Sequence, residues 1–352
     1  MAVVVQAEAG SAPEVPGPSS RGSGGSGTGG YVLRKILGSL ASLFFVTVLN
    51  FFMFRVIAAD PVKNLTRNRN ISVAAQALER KRLGLDQNIW HQFLTYLGGL
   101  PHGYLGVSFK YGKPVTSVIG SAIWPTLLLV GTSTILATII GLWIGIRAGW
   151  NRDSKFDRIS TGVTLTLYSM PEFWLGMLMI LVFAIGWGPI PGMFPTSGLI
   201  DPNLSYGSIQ GMLNVAWHLV LPVTTLTLVY LADYSLIMRA TLLDETTEDY
   251  ILTARAKGLR DAVIRQRHAV PNALLPTFTL LILSLGFVVG GAITVETVFS
   301  IPGLGLLSYT AIQGPDYPLL EGVFLLFTAA VIVANLIADL CYPLLDPRVR
   351  RT

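Results

Sequence analysis

Six long stretches of the chain carry almost no charge, and no feature restricts the possible folds more. They cover residues 36–54, 123–146, 161–185 (interrupted by Glu172), 212–232, 273–295 and 322–338. A helix needs about 20 residues to cross about 30 Å of hydrocarbon, and each run is close to that length. Backbone groups in lipid must pair within the segment, and strands of alternating polarity are absent, so the runs are predicted to be helices rather than barrel strands. Composition agrees: 51% of the 352 residues are hydrophobic and 13% are charged, which excludes an ordinary water-soluble domain. The expected fold class is an all-α membrane protein with six transmembrane helices.

Lys and Arg positions set the expected orientation. The link after the second run (Arg147, Arg152, Lys155, Arg158) is basic, and so is the link after the fourth (Arg239, Arg255, Lys257, Arg260, Arg265, Arg267). The carboxyl end is basic too (Arg348, Arg350, Arg351), whereas residues 187–211 and 297–321 contain no Lys or Arg. The positive-inside rule then puts both termini in the cytoplasm of a multi-pass cell-membrane protein. Residues 60–118 form a basic extracytoplasmic loop, at the length where charge stops governing translocation. Residues 1–30 read as a disordered Gly/Ser-rich tail, and 31–352 as one transmembrane domain. The single Cys341 excludes a disulfide framework within the chain.

The longest inner loop, 239–272, contains "YILTARAKGL" at 250–259. Acids gather before it (Glu245, Glu248, Asp249), bases at its end (Arg255, Lys257), and Gly258 follows, which suits a short helix with a glycine cap. Thr246 and Asp249 have a loose capping-box spacing. Leu252, Ala256 and Leu259 form a narrow apolar stripe with small Ala254 beside it. This predicts a docking helix for a partner, with contacts from Tyr250, Thr253, Ala254, Arg255, Ala256, Lys257, Gly258 and Leu259. A helix lying on the lipid interface is the alternative, although that would favour Trp, Phe and more Leu.

Ionisable groups at membrane depth are functional candidates. Pro171 and Glu172 predict a bend that opens carbonyls toward a cavity, with Ser169 and Phe173 as its neighbours. Pairing of Glu172 with another helix remains open. Glu296 begins "ETVFSIPGLG", where Pro302, Gly303 and Gly305 predict a turn acting as an outer gate or re-entrant segment, together with Phe299. Gly303 is expected to need φ > 0, so that valine there would impair transport but not folding. Asp233 and Asp339 are predicted at the inner ends of their spans, solvated or paired with loop arginines. Histidines show no metal-ligand spacing, and no G-x-S-x-G or H-E-x-x-H motif supports a membrane protease.

The segment "DYILTARAKGLRDAVIRQRHAVPNALLP" resembles the cytoplasmic signature of ABC importer permeases, most closely the dipeptide/oligopeptide (and nickel) branch of that family. "RLGLD" at 82–86, "YLGVS" at 104–108, "SMPEFWLG" at 169–176, "VETVFSIPGLG" at 295–305 and "LLDPRVR" at 344–350 agree with it in order. Leu252 stands where many ABC importers have Glu, and Tyr104 where the family often has an acid. The resemblance implies a type I-like importer permease, non-catalytic, with 239–272 as the coupling loop. No G-x-x-x-x-G-K-[ST] phosphate loop is present, so ATP and Mg belong to one or two partner ATPase subunits and no cofactor is bound directly. No segment is large enough to enclose a peptide, so a separate extracytoplasmic binding protein is implied. A related second permease forming a hetero-pair and surrounding lipid complete the partners, with no nucleic acid. The implied cargo is dipeptides or oligopeptides; nickel or another small solute is the alternative within the family. An ion-coupled secondary transporter is the alternative outside it, but no inverted-repeat symmetry supports that.

Overall fold

In the computed structural model the described residues are 28–57, 86–288 and 292–345, with isolated positions at 74, 77–78 and 81. The Gly/Ser-rich stretch 1–27, most of the basic stretch 60–85 and the carboxyl-terminal arginines lie outside them. The described residues are mostly helical, with loops between the helices, an isolated bridge between Val107 and Pro114, and one antiparallel hairpin of two-residue strands, β1 (Gly186–Trp187) and β2 (Ile190–Pro191). The helices are α1 (Thr28–Phe52), α2 (Ile89–Gly99), α3 (Val115–Trp150), α4 (Lys155–Tyr168), α5 (Glu172–Met179) and α6 (Ile209–Glu245). They continue as α7 (Asp249–Ala256), α8 (Asp261–Ile264), α9 (Val270–Val288), α10 (Ile293–Val298), α11 (Leu304–Gln313) and α12 (Tyr317–Leu345).

Among the described residues four helices, α1, α3, α6 and α12, are long and apolar enough to cross a membrane, and there are five if α4 with α5 counts as one span. Their outer surfaces are greasy: Leu33, Leu37, Leu40, Phe44 and Phe45 of α1 are all more than half exposed. In water such a surface would be costly, and against lipid it is the required one. Two sequence expectations need correcting. The run 161–185 is not a kinked helix but two helices bent by 101° at residues 169–171, because Pro171 caps α5 instead of sitting inside a helix. The run 273–295 is helical as α9 to Val288 and resumes at α10, with 289–291 outside the described residues.

The centre of the bundle is the parallel pair α3 and α6. Gly141, Gly145 and Gly149 recur every four residues along α3 and form one flat stripe on which the α6 backbone lies. A Cβ on Gly141 would come within 2.8 Å of the Leu231 carbonyl oxygen. On Gly145 it would come within 2.6 Å of the Ser235 carbonyl oxygen, and on Gly149 within 3.0 Å of the Arg239 carbonyl oxygen. Membrane helices gain little from hydrophobic exclusion, so close backbone approach over small residues is their main source of attraction. Gly145→Leu should therefore cost about 3 kcal/mol or more by overpacking and strip the detergent-extracted protein of its monodisperse peak. Gly131→Leu is the control, since a Cβ at Gly131 meets nothing within 4 Å.

Hydroxyls inside the spans are satisfied locally. Ser133 donates to Leu129 O (2.7 Å), Thr138 to Thr134 O (2.7 Å) and Thr225 to Leu221 O (2.9 Å), so these side chains need no partner from lipid. Three charged pairs join different elements. Arg239 grips Asp157 with two bonds of 2.6 and 2.9 Å, tying α4 to α6. Arg55 meets Glu321 at 3.2 Å. Asp339 pairs with Lys35 of α1 at 2.7 Å rather than with a loop arginine. Beyond Asp233, α6 continues for twelve residues to Glu245.

Candidate functional site

Two sites emerge from the predicted residues, one on the loop 239–272 and one inside the bundle. At 36 and 37 residues, α3 and α6 are about 55 Å long at 1.5 Å per residue, nearly twice the hydrocarbon thickness. Their shared end projects out of the apolar zone and carries α7. Ile251 and Ala254 of α7 point back into a small core with Met238 and Leu242 of α6, Ile264 of α8 and Ala273 of α9. The Trp150 indole of α3 donates to Asp261 Oδ2 at 2.9 Å and closes this unit from the other side. Tyr250 fixes its start: the hydroxyl donates to Glu245 and accepts from Asn272 Nδ2 at 3.0 Å. Burial, and then the Glu245 carboxylate beside it, raises the Tyr250 pKa, so the phenol stays a donor at physiological pH.

The outward face of α7 is the predicted stripe. Leu252 is 53% exposed and Leu259 40%, with Ala256, Thr253, Arg255 and Lys257 also exposed. Ala254 is only 6% exposed, so it anchors α7 to its own chain instead of meeting a partner. Gly258 has φ +74°, donates to Arg255 O at 2.9 Å, and lets Leu259 N reach Ala254 O at 3.3 Å, a left-handed helix stop that favours glycine. The capping box is not formed. Glu248 caps α7 without a side-chain bond, while Thr246 and Thr247 bond back to Leu243 O and Asp244 O and close α6.

The second site joins the two candidate gate segments. Thr294 of α10 donates to Glu172 of α5 at 2.9 Å, so Glu172 is engaged with another helix. Behind it Gly176 of α5 lets α10 approach: a Cβ there would meet the Phe299 ring at 3.2 Å. Phe299 is buried and its carbonyl accepts from Gly198 N at 2.8 Å, which draws in the loop after β2. The Ser169 hydroxyl donates to Leu165 O of its own helix, and Pro171 and Phe173 are exposed.

Glu296 sits at 0% exposure under this turn. Its Oε1 accepts from the Thr126 hydroxyl of α3 at 2.8 Å and its Oε2 from Leu306 N at 3.0 Å. Thr126 Oγ1 in turn accepts from Leu304 N at 2.7 Å. The carboxylate thus stitches α10, the Ile301–Pro302–Gly303 turn and α11 onto α3. Gly303 is extended (φ −98°), contrary to the expected positive φ. Glycine is required there because a Cβ would strike the Glu296 carboxylate and lie 2.5 Å from Thr126 Oγ1. Pro302 remains exposed at the rim of a cavity of about 340 Å³. Thr126 does not stand out in the sequence; its neighbour Pro125, a proline within an apolar run, is the signal that marks the position.

Residues 137–351 match the family model described as the inner membrane component of binding-protein-dependent transport systems, and residues 30–129 match the N-terminal model of the same membrane component. The chain belongs to this family. The dipeptide transport system permease protein of Escherichia coli (strain K12) is 36% identical over 334 residues, covering 91% of this chain and 98% of the relative. The glutathione transport system permease protein of Escherichia coli O6:H1 is 35% identical over 321 residues, with the same 91% and 98% coverage. As a binding-protein-dependent permease the chain is a translocating, non-catalytic membrane subunit of an ABC importer, set in the inner membrane and working with ATPase and binding-protein components.

Proposed function

We propose that the chain is one of two permease subunits, paired with a related but different chain, in an ATP-driven importer of short peptides. It crosses the membrane six times with both termini in the cytoplasm. The observation that carries this reading is α7: an eight-residue helix presenting Leu252, Ala256 and Leu259 outward while locked through Ile251, Ala254 and Tyr250 to the ends of α3 and α6. ATP and Mg sit on one or two partner ATPase subunits, whose closure pushes on α7. Because α3 and α6 are joined along the glycine stripe, that push turns them as one rigid body and swings access from one side to the other. The segments 169–173 and 296–303 sit where the bundle must open and serve as the gate. An extracytoplasmic binding protein delivers the cargo.

Short peptides are favoured as cargo because the two relatives above are named for dipeptide and glutathione transport, and glutathione is itself peptide-like. The test is competition. Reconstituted with its partners, the protein should take up labelled dialanine, with unlabelled dipeptides and tripeptides competing and nickel having no effect. Inhibition by nickel and not by peptides would replace the cargo assignment. In a Cys341→Ser background, cysteine at exposed Ser197 should react with an impermeant thiol reagent on intact cells and cysteine at Arg152 should not; the opposite pattern would invert the orientation.

A further inference from the structure

Asp233 lies on α6 directly after the apolar run 212–232 and is exposed in the single chain. It is six residues, about 9 Å along α6, from the Arg239–Asp157 pair in the direction away from the coupling loop. It borders a cavity of about 170 Å³ at the junction of α3, α6 and α9, with Tyr230, Tyr234, Thr134 and Ser284 around it. Among the described residues, Asp157 is engaged by Arg239, Glu172 by Thr294, Glu296 by Thr126 and Leu306 N, Glu321 by Arg55 and Asp339 by Lys35. Among the described residues Asp233 has no hydrogen-bond or ion-pair partner, and its one basic neighbour along the helix, Arg239, is held by Asp157.

A carboxylate beside an apolar run does not face lipid; it faces water, a partner chain or a passing solute. Metal binding is not supported, because no cluster of three or more His, Cys, Asp or Glu exists among the described residues. The surroundings suit a different cation. Tyr rings attract an ammonium group through their faces, and Thr134 and Ser284 supply small polar neighbours. At roughly 30 Å³ per water the cavity has room for a few waters, or for a charged terminus and its first substituent, but not for a whole peptide.

We propose that Asp233, flanked by Tyr230, recognises the ammonium group of the peptide as it passes through the bundle, and so helps select peptides with a free cationic nitrogen. This rests on the peptide-import reading above. The nitrogen has two sources, the amino terminus and a lysine side chain, and both use the same contact.

The experiment uses the complete importer in proteoliposomes with dialanine and alanyl-lysine as cargo, comparing wild type, Asp233→Asn and Asp233→Glu. Loss of one charge-assisted contact is expected to lower uptake by Asp233→Asn about tenfold, with Asp233→Glu recovering at least half of it. ATP hydrolysis stimulated by the peptide-loaded binding protein should persist in both variants, which a general structural defect would not allow. A fall for dialanine assigns the amino terminus, and a fall confined to alanyl-lysine assigns the side chain. Wild-type uptake of both by Asp233→Asn, or parallel loss of stimulated hydrolysis, would overturn the inference. Failure of the wild-type complex to import either peptide would overturn the peptide reading itself.

Discussion

Ala256→Trp should abolish ATP-driven uptake while leaving a folded permease in the membrane. Ala256 lies on the outward stripe of α7 between Leu252 and Leu259. An indole there touches none of the inward core formed by Ile251, Ala254, Ile264 and Leu242, but it blocks close approach of a second surface. Loss of a well-packed interface anchor costs about 2 kcal/mol or more, a factor of about 30 in affinity for the ATPase. Co-purification of the ATPase and substrate-stimulated hydrolysis should fall together. Ala254→Trp is the informative contrast. Ala254 is almost fully covered, so bulk there overpacks the permease's own core and lowers thermal stability before any docking is tested. Arg260→Lys, on an exposed position, should change neither readout, because surface charge contributes about 0 to 1 kcal/mol. Full ATPase retention by Ala256→Trp would mean that the stripe does not dock.

Why Ala254 turns inward could not be read from the sequence. The short helix offers two usable stripes, 251–254 and 252–256–259, and their residue types hardly differ. Leu242 and Ile264, brought in by other segments, decide which stripe is covered. The apolar runs show the opposite case: long uncharged stretches became helices because lipid leaves the backbone few alternatives. The 101° break at 169–171 was not legible, since Pro125, Pro222 and Pro276 lie within continuing helices whereas Pro171 starts a new one. Composition is the same in both situations. Helix α6 extends past Asp233 because charge there marks the end of an apolar run but not of a helix. The glycine stripe 141–145–149 is present in the sequence as a four-residue repeat; what it packs on is known only from the fold.

Gly303→Val should unfold the turn that Glu296 holds. Backbone strain does not enter, because Gly303 is extended and valine adopts that conformation readily. The side chain would instead occupy the space of the Glu296 carboxylate and the Thr126 hydroxyl. Moving either leaves Leu304 N or Leu306 N without its acceptor in a dry interior. Overpacking together with an unsatisfied buried donor should cost about 3 kcal/mol or more, so uptake and thermal stability should both collapse. Glu296→Gln keeps the shape and an acceptor and should retain most stability, whereas Glu296→Ala should behave like Gly303→Val. A Gly303→Val protein with normal melting and lost transport would instead make the turn a purely dynamic gate.

The central claim is that force from ATP enters through α7 and moves α3 and α6 together. Peptide uptake into proteoliposomes containing this permease, its partner permease and the ATPases, with binding protein outside and ATP supplied only on the α7 side, tests it most directly. The account predicts dialanine accumulation that requires ATP and binding protein, is indifferent to an imposed proton gradient, and disappears with Ala256→Trp. Accumulation driven by the gradient without ATP, or undiminished by Ala256→Trp, would contradict it.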